Sequence, residues 1–166
     1  MAVVEGRAEV EDVDAFVARL GEIGAEYGCA VTAFDARYVV DRAHLDRAVD
    51  LADRARERGE AIADDHGIEI LLYAAGRRQI RRALEMGVAA GGCPVVVVVH
   101  DREGTGDERA ATAAVRDQLD PADTLGEYDE ERVRAFFGVE DAELAATDAG
   151  LPALVRERVA LLPVEK

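Results

Sequence analysis

Several residue types that carry enzymatic chemistry are scarce or missing from this chain of 166 residues. It contains no serine and no tryptophan, its only lysine is Lys166, and its two cysteines, Cys29 and Cys93, stand far apart. A serine nucleophile is therefore excluded, and with Lys166 as the only lysine so are a P-loop and a kinase-type catalytic lysine within the domain. No Cys-x-x-Cys and no His-Glu-x-x-His motif occurs. The sequence therefore predicts no catalytic residues, no metal site and no cofactor.

Charge of one sign dominates the composition. The chain has 35 acidic and 20 basic residues, a formal net charge of −15, and its acids are spread along its whole length. Arginine in place of lysine, few bulky aromatics and abundant alanine and valine indicate a protein from a salt-loving cytoplasm; an acidic mesophilic protein is the alternative, which the near-absence of lysine argues against. At about 1 M salt the Debye length is roughly 3 Å, so self-repulsion is screened. Counterion release is weak there too, so the net charge decides neither for nor against an RNA partner.

Neither a leader peptide nor a membrane span is predicted. The N-terminal segment is acidic within its first few residues, at Glu5, which is not typical of a leader peptide. Apolar runs such as residues 95–99 are far too short to cross a bilayer. We therefore expect a cytoplasmic protein with reduced cysteines and no membrane partner.

Hydrophobic patterning predicts strands that alternate with helices. Alternating or continuously apolar segments predict strands over residues 2–10, 29–34, 68–75 and 95–99. Helical spacing predicts helices over residues 13–28, 44–65 (with Asp41 as N-cap), 77–86 and 107–119, and two or three short helices over residues 128–162. Hydrophobic residues make up 49% of the chain, enough for a core. The sequence thus predicts an α/β fold, a single domain over residues 1–166, with a mixed sheet flanked by helices and a C-terminal helical segment.

The helix predicted over residues 77–86 concentrates positive charge on one side. At about 100° per residue, its arginines fall within an arc of roughly 140°, and Ile80, Ala83 and Leu84 fall on the opposite side. Guanidinium groups make bidentate contacts with phosphates and stack on bases, and a helix N-terminus offers free N–H groups to an anion. The alternative is a solvated face whose arginines pair with nearby carboxylates, the commoner situation for an arginine-rich helix.

Two histidines are candidates for other roles. His100 and Asp101 follow the buried strand over residues 95–99, where α/β enzymes place catalytic groups. The alternative, that they only begin a loop, is favoured because no nucleophile or metal partner is near them in the pattern. His44 lies in the first turn of the long helix, where it either bonds near the cap or faces the same surface as Arg78.

The last third of the chain carries more apolar surface than a short appendage needs. Its large apolar residues are Phe136, Phe137, Leu144, Leu151, Leu154, Val155, Val159, Leu161 and Leu162. We expect some of them to pack on the sheet, and those that stay exposed suit a partner protein; core packing is the commoner role for any one of them.

Three segments of the chain together resemble a known family. They read Asp35-Ala36, then His44-Leu45-x-x-Ala48-x-x-x-Ala52, then Glu69-Ile70-Leu71-Leu72-Tyr73-Ala74-Ala75-Gly76-Arg77-Arg78-Gln79-Ile80, and residues 158–162 also resemble archaeal members. The family is that of the PRPK-binding proteins, the smallest widespread subunit of the KEOPS complex. The resemblance covers nearly the whole chain, and its most specific part is the Gly-x-Arg-Gln-Ile core at residues 76–80.

This resemblance implies a binding subunit without catalytic activity. KEOPS makes the threonylcarbamoyl modification of the adenosine next to the anticodon in tRNAs that read codons beginning with A. The small subunit binds the kinase-like ATPase subunit, and through it the remaining subunits, and it captures tRNA with the 3′ CCA end as an important contact. No DNA partner is implied. The family fold is a single α/β domain with a mixed sheet.

The resemblance also implies binding residues. For tRNA they are the motif, its basic neighbours and one histidine at a family position: Gly76, Arg77, Arg78, Gln79, Ile80, Arg81, Arg82 and His44. For the kinase-like subunit we expect the C-terminal helix, through Leu154, Val155 and Val159. Ala75 stands where many members have serine, which removes a possible hydroxyl donor. Two other functions stay open: a small α/β enzyme that uses His100 and Asp101 on a small molecule, and a ligand-sensing or structural interaction module.

Overall fold

The computed structural model describes residues 1–165, and for residues 164 and 165 the backbone alone. Its strands are β1 (Ala2–Val10), β2 (Ala30–Asp35), β3 (Gly91–His100) and β4 (Asp120–Pro121). Its helices are α1 (Val13–Tyr27), α2 (Arg42–Glu57), α3 (His66–Ala75), α4 (Ile80–Ala83), α5 (Glu108–Arg116), α6 (Glu130–Phe137), α7 (Asp141–Ala145) and α8 (Gly150–Glu165), with 3-10 turns at Ala36–Tyr38 and Leu84–Met86. Within this part of the chain, no helix combines the length and the apolar character that a membrane crossing requires.

Contacts within the chain define two compact units. The first comprises Met1–Ala36 and Gly87–Thr124 and contains the four described strands with α1 and α5. The second comprises Arg37–Met86 and the chain from Leu125 on, and it contains the other helices. Of the charged residues, 15 acidic and five basic fall in the first unit, and 20 acidic and 15 basic in the second, so their net charges are −10 and −5. The single domain over residues 1–166 stays a prediction.

The sheet has the strand order β2-β3-β1-β4, and every described pairing in it is antiparallel. The α/β class, with helices beside a sheet and a C-terminal helical segment, is confirmed, but the sheet is not mixed. The crossover through α1 does return β2 in the direction of β1, as strand–helix–strand alternation predicts. However, β3 lies between these two strands and runs opposite to both, so no parallel pair forms.

The core of the first unit lies between this sheet and its two helices. Val95, Val97 and Val99 of β3 belong to one buried cluster with Ile23 of α1 and Val115 of α5. Fully burying a side chain of this size stabilises the folded state by about 1.5–3 kcal/mol. The predicted strand over residues 95–99 is therefore correct in type and is the central element of this core.

The long helix predicted over residues 44–65 is shorter in the structure. The prediction of its start is confirmed, because the Asp41 carboxylate accepts a hydrogen bond from the His44 N–H at 2.8 Å. It ends at Glu57, where Gly59 takes a left-handed conformation and the Glu60 N–H donates to the Ala55 carbonyl at 2.8 Å. Residues 58–65 therefore form a connection to α3 and not the last turns of one helix.

The strand predicted over residues 68–75 is wrong, because this segment is the helix α3. Asp65 caps its start by accepting from the Ile68 N–H at 2.9 Å, and Gly76 ends it. All residues from Ile70 to Ala75 are buried. A helix that is buried on every side shows no amphipathic period, and a short apolar run cannot be assigned by periodicity alone.

Candidate functional site

The Gly-x-Arg-Gln-Ile motif lies at a helix end, and the helix predicted over residues 77–86 is present only from Ile80, as α4 and the 3-10 turn Leu84–Met86. Gly76 has φ +62°, its N–H donates to the Tyr73 carbonyl at 3.1 Å, and the Arg77 N–H donates to the Leu72 carbonyl at 3.0 Å. This pair of bonds is the Schellman motif that terminates α3. The chain then bends through Arg78 and enters α4 at Ile80. The expected single helical face of four arginines and its anion-binding helix N-terminus therefore do not exist.

Three arginines of this segment nevertheless form an exposed basic patch, which we define as Arg78, Arg81 and Arg82. Arg82 lies 3.9 Å from a Glu85 carboxylate oxygen. Among the side chains that the structure describes, residues 1–163, Arg78 and Arg81 make no ion pair and no side-chain hydrogen bond. In a chain with 35 acidic residues, two guanidiniums without a partner among the described carboxylates are available to an anion from outside.

Apolar side chains are exposed within the same segment. Ile80 is 46% exposed and Leu84 is 53% exposed, whereas Ala83 and Met86 are fully buried. The sequence prediction placed Ile80, Ala83 and Leu84 on the side opposite the arginines. Of these only Ala83 is buried, and together with Met86 it anchors the single turn of α4. The segment therefore presents guanidinium groups and aliphatic surface side by side. This combination suits a ligand that has both phosphates and flat apolar faces, such as unpaired nucleotides.

Arg77 is turned inward and does not belong to the basic patch. Its guanidinium donates a hydrogen bond to the Phe136 carbonyl and lies over the Phe136 ring, with 5.1 Å from the guanidinium carbon to the ring centroid. Its side chain is half-buried. Arg77 therefore attaches the motif to α6. Nothing in the sequence pattern distinguishes this inward-facing arginine from the exposed Arg78.

His44 is fully buried in the second unit. Its Nε2 lies 2.8 Å from the Ala74 carbonyl, its Nδ1 accepts from the Val40 N–H at 3.4 Å, and its ring meets the Phe137 ring edge-on at 5.8 Å. Burial lowers the pKa of the imidazole below its ordinary value of 6.5, so the ring is neutral. A direct contact of this ring with tRNA, as the resemblance implied, is not available in this conformation.

Glu69 is a buried carboxylate that sequence reasoning did not single out. Its oxygens accept hydrogen bonds from the Ile62 N–H at 2.9 and 3.0 Å and from the Ala63 N–H at 2.8 Å. These bonds hold the connection between α2 and α3. In the sequence, Glu69 stands out only as an acidic residue inside an apolar run. Such a position indicates a buried carboxylate that needs hydrogen-bond donors, but it does not identify the donors.

The three residues expected to meet the kinase-like subunit are part of the core. Leu154, Val155 and Val159 of α8 are buried. On the same helix Leu161 is 41% exposed. Arg158 fixes α8 by donating to the Phe137 carbonyl at 3.0 Å and pairing with Glu143, whose pKa this hydrogen bond lowers. The expected residues thus hold the helix in place, and any partner contact on α8 must come from its exposed side.

The Asp101 carboxylate stabilises the loop that follows β3. Its two oxygens accept from the Gly104 N–H at 2.9 Å and from the Gly106 N–H at 3.0 Å. This arrangement is an Asx-type turn in which the carboxylate organises the backbone. The structure gives Asp101 the loop-forming role that the sequence left as the alternative to a catalytic one.

Comparison with known families adds an independent finding. A family model described as kinase binding protein CGI-121 matches residues 9–162. The match extends from the last residues of β1 into the last turn of α8. No curated protein matches the chain significantly.

Proposed function

Since the chain belongs to the CGI-121 family of kinase binding proteins, we propose that it is the small, non-catalytic subunit of a KEOPS-type complex. In this role it binds the kinase-like ATPase subunit in the cytoplasm and contributes to the threonylcarbamoyl modification of tRNA. The family is known by a binding activity and not by a reaction. That description fits a chain without serine and with Lys166 as its only lysine.

The basic patch supports a tRNA contact. Arg78 and Arg81 are exposed and, within the described residues, unpaired, and Ile80 and Leu84 lie exposed beside them. Guanidinium groups recognise phosphates bidentately and stack on bases, which keeps part of the binding energy in concentrated salt. Of the expected tRNA residues, we propose that Arg78, Gln79, Ile80, Arg81 and Arg82 make contact. We propose that Gly76, Arg77 and His44 do not touch tRNA but fix the backbone that carries these residues.

For the kinase-like subunit we propose the exposed side of α8. Leu161 is an exposed large apolar residue of this helix. Leu154, Val155 and Val159 set its position from the core. An exposed leucine on a helix fixed by Arg158 offers a preorganised apolar contact, which lowers the entropic cost of association.

The test is the charge reversal Arg78→Glu, compared with Arg109→Glu as a control. Arg109 is likewise exposed, but it lies on α5 in the first unit. We expect R78E to weaken tRNA binding in molar KCl by about tenfold or more, because a charge-assisted contact becomes a repulsion. R109E is expected to bind as the wild type does. Affinity for the kinase-like subunit is measured on the same samples.

Unchanged kinase binding in both variants, with tRNA binding lost only in R78E, supports two separate surfaces. Equal tRNA affinity of R78E and the wild type contradicts the assignment of the basic patch. Loss of both partners in R78E, at an unchanged circular dichroism spectrum, places the kinase-like subunit on the patch and contradicts the α8 surface. No binding of the kinase-like subunit by the wild type contradicts the proposed function itself.

A further inference from the structure

The His44 ring connects two backbone segments that are far apart in sequence. The Val40 N–H donates to Nδ1, so the ring proton lies on Nε2, and Nε2 donates to the Ala74 carbonyl at 2.8 Å. One tautomer therefore satisfies both contacts. The imidazole joins the residue before the α2 cap to the last turn of α3.

The Ala74 carbonyl is one of the groups that a helix end leaves without an intrahelical partner. The carbonyls of Leu72 and Tyr73 are satisfied by the Arg77 and Gly76 N–H groups of the Schellman motif. The carbonyl of Ala74 receives its bond from His44. A buried backbone acceptor requires such a partner, because leaving it unpaired costs free energy.

We propose that His44 is a positioning residue for the basic patch: its bond to Ala74 fixes the end of α3 from which the chain leads to Arg78. The inference rests on the proposed function, since it concerns the geometry of the tRNA surface. Gly76 follows this fixed end after one residue, and Arg77 is then attached to Phe136. Arg78 is thus the first residue of the segment that leaves the core, and its direction follows from the anchors that precede it.

The surroundings of the ring favour the neutral state that this role needs. Burial has the largest effect on the pKa of His44 and lowers it. The hydrogen bond to Ala74 and the charge of Asp41, before α2, raise this pKa, and the charge of Arg156, on α8, lowers it. The groups that α3 and α6 turn towards the ring are the Ala74 carbonyl and the Phe137 ring. Protonation would place a second donor at Nδ1, opposite the Val40 N–H. Acidification therefore breaks one of the two contacts.

Two substitutions separate the contacts. In His44→Gln the amide nitrogen takes the place of Nε2 and keeps a donor for the Ala74 carbonyl. In His44→Asn the shorter amide reaches only the Val40 side. We expect H44N to lose about fivefold in tRNA affinity while H44Q stays near the wild type, since one hydrogen bond at the end of α3 is lost. Hydrogen exchange is expected to rise at the amides of residues 77–79 in H44N alone, with kinase binding unchanged in both.

The outcomes separate this inference from the proposed function. Normal tRNA binding by H44N, when R78E binds poorly, overturns the positioning role and leaves the function standing. Equal tRNA binding by R78E and the wild type overturns the tRNA surface, and the positioning role with it. A uniform rise in exchange across the second unit of H44N, with loss of kinase binding, means a merely structural residue and also overturns the inference.

The wild-type protein provides the test if H44N does not fold. Nitrogen NMR at neutral pH reports the tautomer of His44, and a coupling across the hydrogen bond between Nε2–H and the Ala74 carbonyl reports the contact itself. We expect the Nε2–H tautomer with this contact formed in the protein that binds tRNA. An Nδ1–H tautomer, which cannot donate to the Ala74 carbonyl, overturns the inference.

Discussion

At the scale of single residues, the family motif divides into residues that face inward and residues that face solvent. Glu69 fixes the preceding connection, Gly76 turns the chain, and Arg77 lies against Phe136. Arg78 and the residues immediately after it are exposed. A motif of adjacent residues thus serves two purposes, and the inward half determines the geometry of the outward half.

Gly76 offers a direct test of this inward half. Its φ is +62°, and a β-carbon placed on it would lie 3.3 Å from the Arg158 carbonyl oxygen. Gly59 has φ +69° but has nothing within 4 Å of such a carbon. We expect Gly59→Ala to lower the free energy of unfolding by about 1–2 kcal/mol, the cost of a left-handed non-glycine residue. Gly76→Ala should cost more, because it adds the contact with Arg158.

The measurement is urea unfolding of both variants in molar KCl. A larger loss for G76A than for G59A is the expected result. Equal losses would mean that the end of α3 is free to adjust against α8, contrary to the close approach at Gly76.

At the scale of elements, capped and amphipathic segments were predictable and uniformly buried ones were not. The sequence predicts β1 with its observed ends, and it predicts α1 from its helical spacing and the start of α2 from its Asp41 N-cap. For α3 the same cap signals are present in Asp65 and Gly76, but the apolar run between them hides the helical period. The local hydrophobic pattern identifies a segment as helix or strand only when one face of that segment is polar.

The candidate site was predictable in its chain position and not in its geometry. Four neighbouring arginines are visible in the sequence. Which of them point outward depends on Phe136, a residue 59 positions away from Arg77. The burial of His44 likewise depends on Ala74, 30 positions away. These are tertiary contacts, and no periodicity of a single segment encodes them.

At the scale of the whole molecule, charge is the dominant property. The net charge is −15, and each unit is acidic by itself, at −10 and −5. Charge of one sign destabilises the compact state by self-repulsion, and salt reduces that repulsion. From this composition we propose that the protein works in a cytoplasm of high salt.

The corresponding prediction concerns salt. We expect the melting temperature to rise steeply between 0.1 M and about 2 M KCl, with partial unfolding in dilute buffer, because the screening length shrinks from about 10 Å to below 3 Å over this range. Thermal melts followed by circular dichroism at a series of KCl concentrations measure it. A cooperative melt at the same temperature in all of them would show that repulsion between the carboxylates does not limit stability.

The most direct test of the central claim compares two forms of one tRNA. Binding of the wild-type protein is measured in molar KCl to intact tRNA and to the same tRNA without its 3′ CCA. If the basic patch, with exposed Ile80 and Leu84 beside it, captures unpaired nucleotides, trimming abolishes most of the affinity. Equal affinity for both forms would contradict recognition of the 3′ end, and no binding to either form would contradict the tRNA contact altogether.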